Sequence, residues 1–113
     1  MEKIVEQGIL YDFYGELLTK HQQSIYEDAV YNDLSLSEIA QEKGISRQGV
    51  HDLLKRCDKI LTEYEKKLHL IEKFTCAKGK VKKISSLTEG KDTDSVNAME
   101  EIRMLALEIL EEL

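Results

Sequence analysis

The segment 34–56, LSLSEIAQEKGISRQGVHDLLKR, has the pattern of a helix-turn-helix and constrains the fold more than any other part of the chain. Ser35 lies three residues before Glu38, which is the spacing of a capping box at a helix start. Gly44 can take the left-handed conformation that ends a helix, and Ser46 can cap a second helix. The segment therefore predicts two helices joined by a short turn.

The apolar positions of this segment fit the same motif. Lys43 stands where the motif usually has an apolar residue, but its alkyl stem can cover the edge of a core while the ammonium reaches water. The second helix of a DNA-binding helix-turn-helix enters the major groove, whereas ordinary helix pairs with the same caps never touch DNA. The motif alone leaves both interpretations open. The residues expected to be buried are Ile39, Ala40, Ile45, Val50 and Leu53.

The composition predicts an all-α protein of single-domain size that is not an enzyme. The chain has 113 residues, no proline and six glycines, and its apolar residues recur at steps of three and four. No apolar run approaches the ~20 residues that span a bilayer, and no signal sequence is recognisable, so we expect a cytoplasmic protein without membrane insertion. We expect Cys57 and Cys76 to be reduced. Because no nucleophile and base pair, phosphate-binding loop or metal-ligand spacing is present, no cofactor or metal is predicted.

The net charge of −6 hides three blocks of different sign. Residues 1–46 carry 3 basic and 9 acidic residues, residues 47–83 carry 11 and 5, and residues 84–113 carry 2 and 8. The basic block begins at the second helix of the motif. Although an acidic protein repels a polyanion at long range, a local basic cluster can still contact phosphates. We therefore expect weak, salt-sensitive binding by a single copy, unless these residues are only a solvated helix face.

The periodicity predicts four helices before residue 57, of which the fourth is long. The first helix spans residues 4–18 and the second runs from Lys20 to about Tyr31, after a capping box. No glycine or proline lies between Gly49 and Gly79, and apolar residues continue at heptad spacing from residue 50 to residue 71. The first half of this stripe packs either on the N-terminal helix or on a second chain, and we favour a second chain beyond residue 61. The predicted dimer interface is Leu61, Tyr64, Leu68 and Ile71.

The remainder of the chain predicts a linker and one more helix. Residues 75–94 lose the periodicity and gain glycines, serines and lysines, which is typical of a solvated hinge, with a short helix conceivable around residues 81–87. Residues 95–113 again have apolar residues at steps of three and four. The predicted organisation is a helix-turn-helix domain over 1–74 that runs into the long helix, a linker over 75–94, and a C-terminal amphipathic helix over 95–113.

The motif and its flanks resemble the YlxM family, small bacterial helix-turn-helix proteins associated by gene neighbourhood with the signal recognition particle. The first four helices are also similar in fold to region 4 of the main bacterial sigma factors. The resemblance covers about residues 4 to 74, and the C-terminal third carries no such match. Gly49 departs from the alanine that family members tend to have. The matching runs are 10–15, 17–19, 35–40, 44–48 and 66–69.

The resemblance implies a regulatory protein that binds nucleic acid, either DNA or the RNA of the signal recognition particle, and that forms a homodimer through the long helix. A protein of that particle is a further implied partner. In this hypothesis Ser46 and the helix start bind a phosphate, and side chains of the next turns reach base edges or backbone. The alternative is a protein-binding adaptor of the targeting pathway that uses the motif only as a scaffold. The predicted contacts to base edges are Arg47, Gln48 and His51, and those to backbone are Lys55 and Arg56.

Overall fold

The computed structural model describes residues 2–89 and 95–113, which contain six α-helices and no strand. The all-α prediction is confirmed. Contacts within the chain define two units, Met1–His69 and Leu70–Leu113. None of the helices in the described residues is long and apolar enough to cross a membrane.

The N-terminal unit contains the four predicted helices in the predicted order. The first helix ends before residue 18, because residues 15–17 tighten into a 3-10 turn. The second helix begins with a complete capping box, in which Thr19 and Gln22 each accept a hydrogen bond from the other's backbone N–H. The helices are α1 (Lys3–Tyr14), α2 (Lys20–Val30), α3 (Leu36–Lys43) and α4 (Arg47–Leu68).

The helix-turn-helix has the caps that its sequence predicts. The Ser35 Oγ accepts a hydrogen bond from the Glu38 N–H at 3.1 Å, and the Glu38 carboxylate accepts one from the Ser35 N–H at 3.0 Å. Gly44 takes the left-handed conformation with φ of 70°, and its N–H donates to the Ala40 carbonyl. Because that conformation is costly for residues with a Cβ, glycine fixes the sharp turn into α4 at this position.

The core of the N-terminal unit forms where the motif packs on α2. Ile25, Ile39, Ala40 and Val50 make one buried cluster, and the partly buried Ile45 and Leu53 pack against it, as the sequence predicts. Lys43 lies at its edge, where its Nζ donates to the Ser24 Oγ at 2.7 Å. Cys57 and Leu61 are buried further along α4. The other buried residues of this unit include Tyr14, Leu18 and Tyr26.

The long helix is shorter than predicted. It ends at Leu68, because His69 takes a left-handed conformation with φ of 56° and donates its N–H to the Glu65 carbonyl. This break could not be predicted from the sequence, since the residue is neither glycine nor proline, although histidine is enriched among non-glycine residues in this conformation. The predicted seam from residue 50 to residue 71 is therefore not one continuous helix, and Ile71 belongs to the next helix.

The C-terminal unit is a helical hairpin rather than a linker followed by one helix. Residues 75–89 of the predicted linker form most of α5 (Leu70–Glu89), while residues 90–94 lie outside the described residues. The second helix of the hairpin is α6 (Ser95–Glu112). The apolar spacing in α5 is too sparse to predict a helix alone, but Ala77, Ile84 and Leu87 lie on a less exposed side of α5, and α6 supplies a partner for them.

Ion pairs fix the antiparallel register of this hairpin. The Lys80 Nζ lies 3.3 Å from a Glu108 carboxylate oxygen and also pairs with Glu112, and Lys83 pairs with Glu101. Apolar burial in this unit is slight, since Leu105 is the one buried hydrophobic residue in its described part. The hairpin therefore has little apolar core of its own, and the ion pairs between its two helices contribute to its stability.

Candidate nucleic-acid interface

The start of α4 presents the six predicted nucleic-acid-binding residues to solvent. The Ser46 Oγ accepts a hydrogen bond from the Gly49 N–H at 2.9 Å, so the helix starts with its cap formed. The N–H groups of this first turn carry the positive end of the helix dipole. The structure thus places together a capped helix start and a set of exposed polar side chains. Those side chains are Ser46, Arg47, Gln48, His51, Lys55 and Arg56, and all six are exposed.

These residues occupy the side of α4 opposite its buried side. At 100° per residue, His51, Lys55 and Gln48 lie between Arg47 and Arg56, which are about 180° apart around the helix. The opposite side carries the buried Val50 and, further along, other core residues. The two arginines therefore lie at the two edges of a polar strip, where a guanidinium group can donate to a phosphate or to a base edge.

Asp52 lies within this strip and contacts two of the predicted base-reading residues. Its Oδ1 accepts a hydrogen bond from the Gln48 Nε2 at 2.9 Å and lies 3.5 Å from the His51 Nδ1. Its side chain is 61% exposed. The sequence does not reveal this contact, since the pairing of Asp52 with Gln48 is one of several open to residues four apart on a helix.

A polar network that the sequence did not reveal holds α4 against α1 and α2. Asp58 accepts hydrogen bonds from the Tyr26 hydroxyl at 2.6 Å and from the Gln7 Nε2 at 3.0 Å. Tyr26 is fully buried, and burial together with the Asp58 carboxylate raises the pKa of its hydroxyl. The network joins three helices at one carboxylate, so it orients the helix that carries the exposed strip.

The neighbouring Cys57 has no role in binding. Its side chain is fully buried, and burial raises the pKa of its thiol to about 11. It is therefore a protonated core residue at neutral pH, whereas Cys76 is exposed, and neither forms a disulfide in the described residues.

A cleft between α1 and α2 does not suit a polyanion. It encloses about 670 Å³ and is lined mainly by acidic and aromatic side chains, among them Asp12, Glu16 and Glu27. Two tyrosines at this cleft donate to carboxylates, Tyr11 to Glu27 and Tyr31 to Asp12. Phosphate would be repelled here, so this cleft does not extend the surface of α4.

The four predicted dimer residues do not form one exposed stripe. Leu61 is fully buried within the chain, so it belongs to the core of the N-terminal unit. Tyr64 is half-buried and stacks on Tyr14 with ring centroids 6.0 Å apart. Leu68 is 46% exposed at the end of α4, and Ile71 is half-buried in α5. The burial of Leu61 and the stacking of Tyr64 on Tyr14 match the alternative that the stripe packs on the N-terminal helix of its own chain.

Comparison with known proteins places the motif in a family. The model of the UPF0122 family, helix-turn-helix proteins described as YlxM/p13-like, matches residues 1–102. The chain belongs to the UPF0122 family. Among its relatives, the UPF0122 protein YlxM of Bacillus subtilis strain 168 is 40% identical over 100 residues, which cover 88% of this chain and 91% of that protein.

Two further UPF0122 relatives extend the similarity along the chain. A UPF0122 protein of Desulforamulus reducens is 37% identical over 112 residues, covering 98% of this chain and 96% of that protein. One of Acetivibrio thermocellus is 42% identical over 97 residues, covering 86% and 83%. The expectation that the resemblance stops near residue 74 is therefore wrong, because the family match includes α5 and the first part of α6.

Proposed function

We propose that this UPF0122 protein is a nucleic-acid-binding regulator that places the first turns of α4 in the major groove of duplex DNA. The observation that carries the proposal is the exposed strip of α4, with its formed cap and its flanking arginines. Arginine can donate two hydrogen bonds to guanine, and a helix start can donate to a phosphate. In this role Arg47, Gln48 and His51 reach base edges, while Ser46, Lys55 and Arg56 hold the backbone.

Duplex DNA fits this strip better than RNA does. The major groove of B-DNA is wide enough to admit an α-helix, whereas that of A-form RNA is deep and too narrow for side chains to read. Single-stranded RNA is usually recognised by exposed aromatic side chains on which bases stack. The strip residues 46–56 include no phenylalanine, tyrosine or tryptophan, so His51 and the two arginines are the only groups there on which a base can stack. Binding to the RNA of the signal recognition particle is therefore an outcome that the experiment must test separately.

The hairpin supports a homodimer. On α6, Val96, Met99 and Leu110 are 70 to 75% exposed, and the adjacent Leu107 is also exposed. These residues share one side of the helix, away from the side that pairs with α5. An apolar stripe of this kind in a two-helix unit requires a cover, and a second hairpin from another copy supplies one of the same kind. A dimer then brings two α4 helices to one duplex and raises the affinity.

A protein adaptor is the second candidate function, and the same exposed stripe favours it. Glu100 and Glu111 lie along one side of the stripe on α6 and Arg103 lies within it, and residues 84–113 carry 8 acidic and 2 basic residues. A partner with an apolar surface ringed by basic groups fits such a face. A protein component of the signal recognition particle is the partner that the family resemblance suggests. In that case the helix-turn-helix serves as a scaffold.

The experiment compares Arg47→Glu with Lys66→Glu, which makes the same charge change at the far end of α4, about 28 Å away. Binding to random-sequence duplex DNA, to structured RNA and to single strands is measured by fluorescence anisotropy from 25 to 300 mM salt. We expect Arg47→Glu to weaken duplex binding by more than ~10-fold and Lys66→Glu to change it little. Equal losses in both variants, or no duplex binding by the unmodified protein at 25 mM salt, would refute the proposal.

The oligomer and the adaptor are tested by mass in solution. We expect a dimer for the unmodified protein and a monomer for Leu110→Glu, which places a charge on the exposed stripe while leaving the side that faces α5 intact. A monomer for both at high concentration would contradict the homodimer. Survival of a targeting-particle protein complex in Arg47→Glu, together with its loss in Leu110→Glu, would favour the adaptor.

A further inference from the structure

The exposed strip of α4 contains an acidic group that is not needed to hold the fold. Asp52 is 61% exposed, and the residues it touches, Gln48 and His51, are themselves exposed and lie on the same helix. A carboxylate on a DNA-binding surface weakens phosphate contacts. The contacts of Asp52 with Gln48 and His51 therefore affect mainly which donors and acceptors the strip presents to a base.

The hydrogen bond to Asp52 determines which end of the Gln48 amide faces outward. An ionised carboxylate can only accept hydrogen bonds, so the amide must turn its NH2 group toward Asp52, as the distance of 2.9 Å between Nε2 and Oδ1 shows. The Gln48 Oε1 is then turned away from Asp52 as an acceptor for a ligand, and one N–H of the amide stays available as a donor. In the described residues Oδ2 of Asp52 accepts no hydrogen bond, so it offers a second acceptor beside the first.

Two acceptors side by side select among the bases. In the major groove the amino groups of adenine (N6) and cytosine (N4) are donors, whereas guanine and thymine present only acceptors and the thymine methyl. We propose that Asp52 is a specificity-determining residue of the recognition helix: it turns the Gln48 Oε1 outward beside its own Oδ2, so that this position favours adenine or cytosine over guanine and thymine. This inference rests on the proposed binding of duplex DNA and deepens it by naming the chemistry of one read base.

The size of the effect follows from the hydrogen bonds at stake. In the absence of Asp52, the Gln48 amide can rotate and donate to guanine or thymine as readily as it accepts from adenine or cytosine. Opposite guanine or thymine, the Asp52 carboxylate would lie against a carbonyl oxygen, and two acceptors repel each other. One well-formed base contact of this kind corresponds to ~10-fold discrimination. Removing the carboxylate also removes a repulsion from phosphates, so affinity for every duplex should rise.

The test measures base preference and affinity separately on the full chain. A site is selected from a randomised duplex library with the unmodified protein, and affinities are then measured with all four base pairs at each position of that site. We expect one position where adenine or cytosine is favoured by ~10-fold over guanine and thymine. We expect Asp52→Asn to lose that preference and to bind all four duplexes more tightly, while other positions keep theirs.

The control is Glu63→Gln, which makes the same charge change further along α4, about 16 Å from Asp52 along the axis. It should leave the preference intact. Gln48→Ala should reduce the preference without abolishing it, because the Asp52 carboxylate remains as an acceptor, and the double variant should lose no more than Asp52→Asn alone. An unchanged preference in Asp52→Asn would overturn the inference while leaving DNA binding intact. Absence of duplex binding by the unmodified protein overturns both proposals, so the two failures are distinguishable.

Discussion

The hydrogen bond between Tyr26 and Asp58 should contribute measurably to stability, because it satisfies a hydroxyl that is wholly buried. The Tyr26 hydroxyl donates to Asp58 at 2.6 Å, and the Gln7 amide donates to the same carboxylate at 3.0 Å. A hydrogen bond to a charged group contributes about 1.5 to 3 kcal/mol, and an unsatisfied buried hydroxyl costs a similar amount. We therefore expect Asp58→Ala to lower the free energy of unfolding by about 3 kcal/mol and Tyr26→Phe by about 1.5 kcal/mol.

The double variant distinguishes this explanation from general damage to the core. In the Asp58→Ala background the Tyr26 hydroxyl has lost its acceptor, so removing the hydroxyl should cost nothing or restore stability. The coupling energy should then be about 1.5 kcal/mol or more. If Tyr26→Phe costs the same in both backgrounds to within about 0.5 kcal/mol, the hydrogen bond does not stabilise the fold as argued.

Tyrosine fluorescence during urea unfolding makes this measurement specific. All five tyrosines lie between residues 11 and 64, and the chain has no tryptophan. The signal therefore follows the unit Met1–His69 without a contribution from the hairpin. Measurements at one fixed protein concentration keep any effect of association constant across the variants.

Three further outcomes are expected. An added Cβ meets no atom within 4 Å at Gly44 or at Gly79. Gly44→Ala should therefore destabilise the N-terminal unit by about 1 kcal/mol through its left-handed φ alone, whereas Gly79→Ala inside α5 should stabilise the hairpin by about 0.5 to 1 kcal/mol. Urea midpoints that shift in the same direction for both variants would contradict this. Because burial raises the Cys57 thiol pKa from 9.0 to about 11, the unfolded chain loses the proton first, and stability should fall by about 2 to 3 kcal/mol as the pH rises through that range. Urea unfolding at pH 8 to 11 should show a smaller fall in Cys57→Ala and an unchanged one in Cys76→Ala. Lys80→Ala should reduce helical circular dichroism by leaving Glu108 and Glu112 unpaired, and the exposed Lys78→Ala should not.

The sequence predicts helix boundaries well where short-range chemistry determines them. Ser35 with Glu38, Thr19 with Gln22, and Ser46 each form the predicted cap, because capping depends on residues three apart in the chain. The break at His69 could not be predicted in this way. A left-handed histidine is uncommon, and the heptad spacing continues through it from residue 50 to residue 71.

The error over residues 75–89 has a different physical origin. This segment has serines, a glycine and few apolar residues, so its local preference for a helix is weak. Its helix pairs with α6, including the ion pairs from Lys80 and Lys83, and those partners lie 18 or more residues further along the chain. Pairing over such a separation carries no local signal. The same reason hides Asp58, whose partners Gln7 and Tyr26 are 51 and 32 residues away.

The candidate site was predictable because exposure on a helix follows from periodicity once the buried side is known. The core positions Val50 and Cys57 fix the orientation of α4, and the exposed strip is then determined. What periodicity cannot give is how exposed side chains pair with one another. Arg47 and Gln48 are both exposed, yet of these two side chains only that of Gln48 is oriented by a hydrogen bond to Asp52. The exposure of the strip is therefore readable from the sequence, whereas the pairing of Gln48 with Asp52 depends on side-chain geometry.

The distribution of charge determines how such a surface can bind DNA in an acidic chain. The basic groups of the strip act at contact distance, whereas the acidic blocks act through solvent and are screened beyond about 8 Å at physiological ionic strength. Raising the salt concentration weakens binding by the basic groups, because the release of counterions from the DNA phosphates then favours binding less. It also screens the long-range repulsion between the DNA and the net charge of −6. The two effects oppose each other, so the salt dependence should be shallower than the number of phosphate contacts alone would give. In the proposed complex Asp52 would lie at contact distance from the DNA, so removing its carboxylate should raise affinity at all salt concentrations.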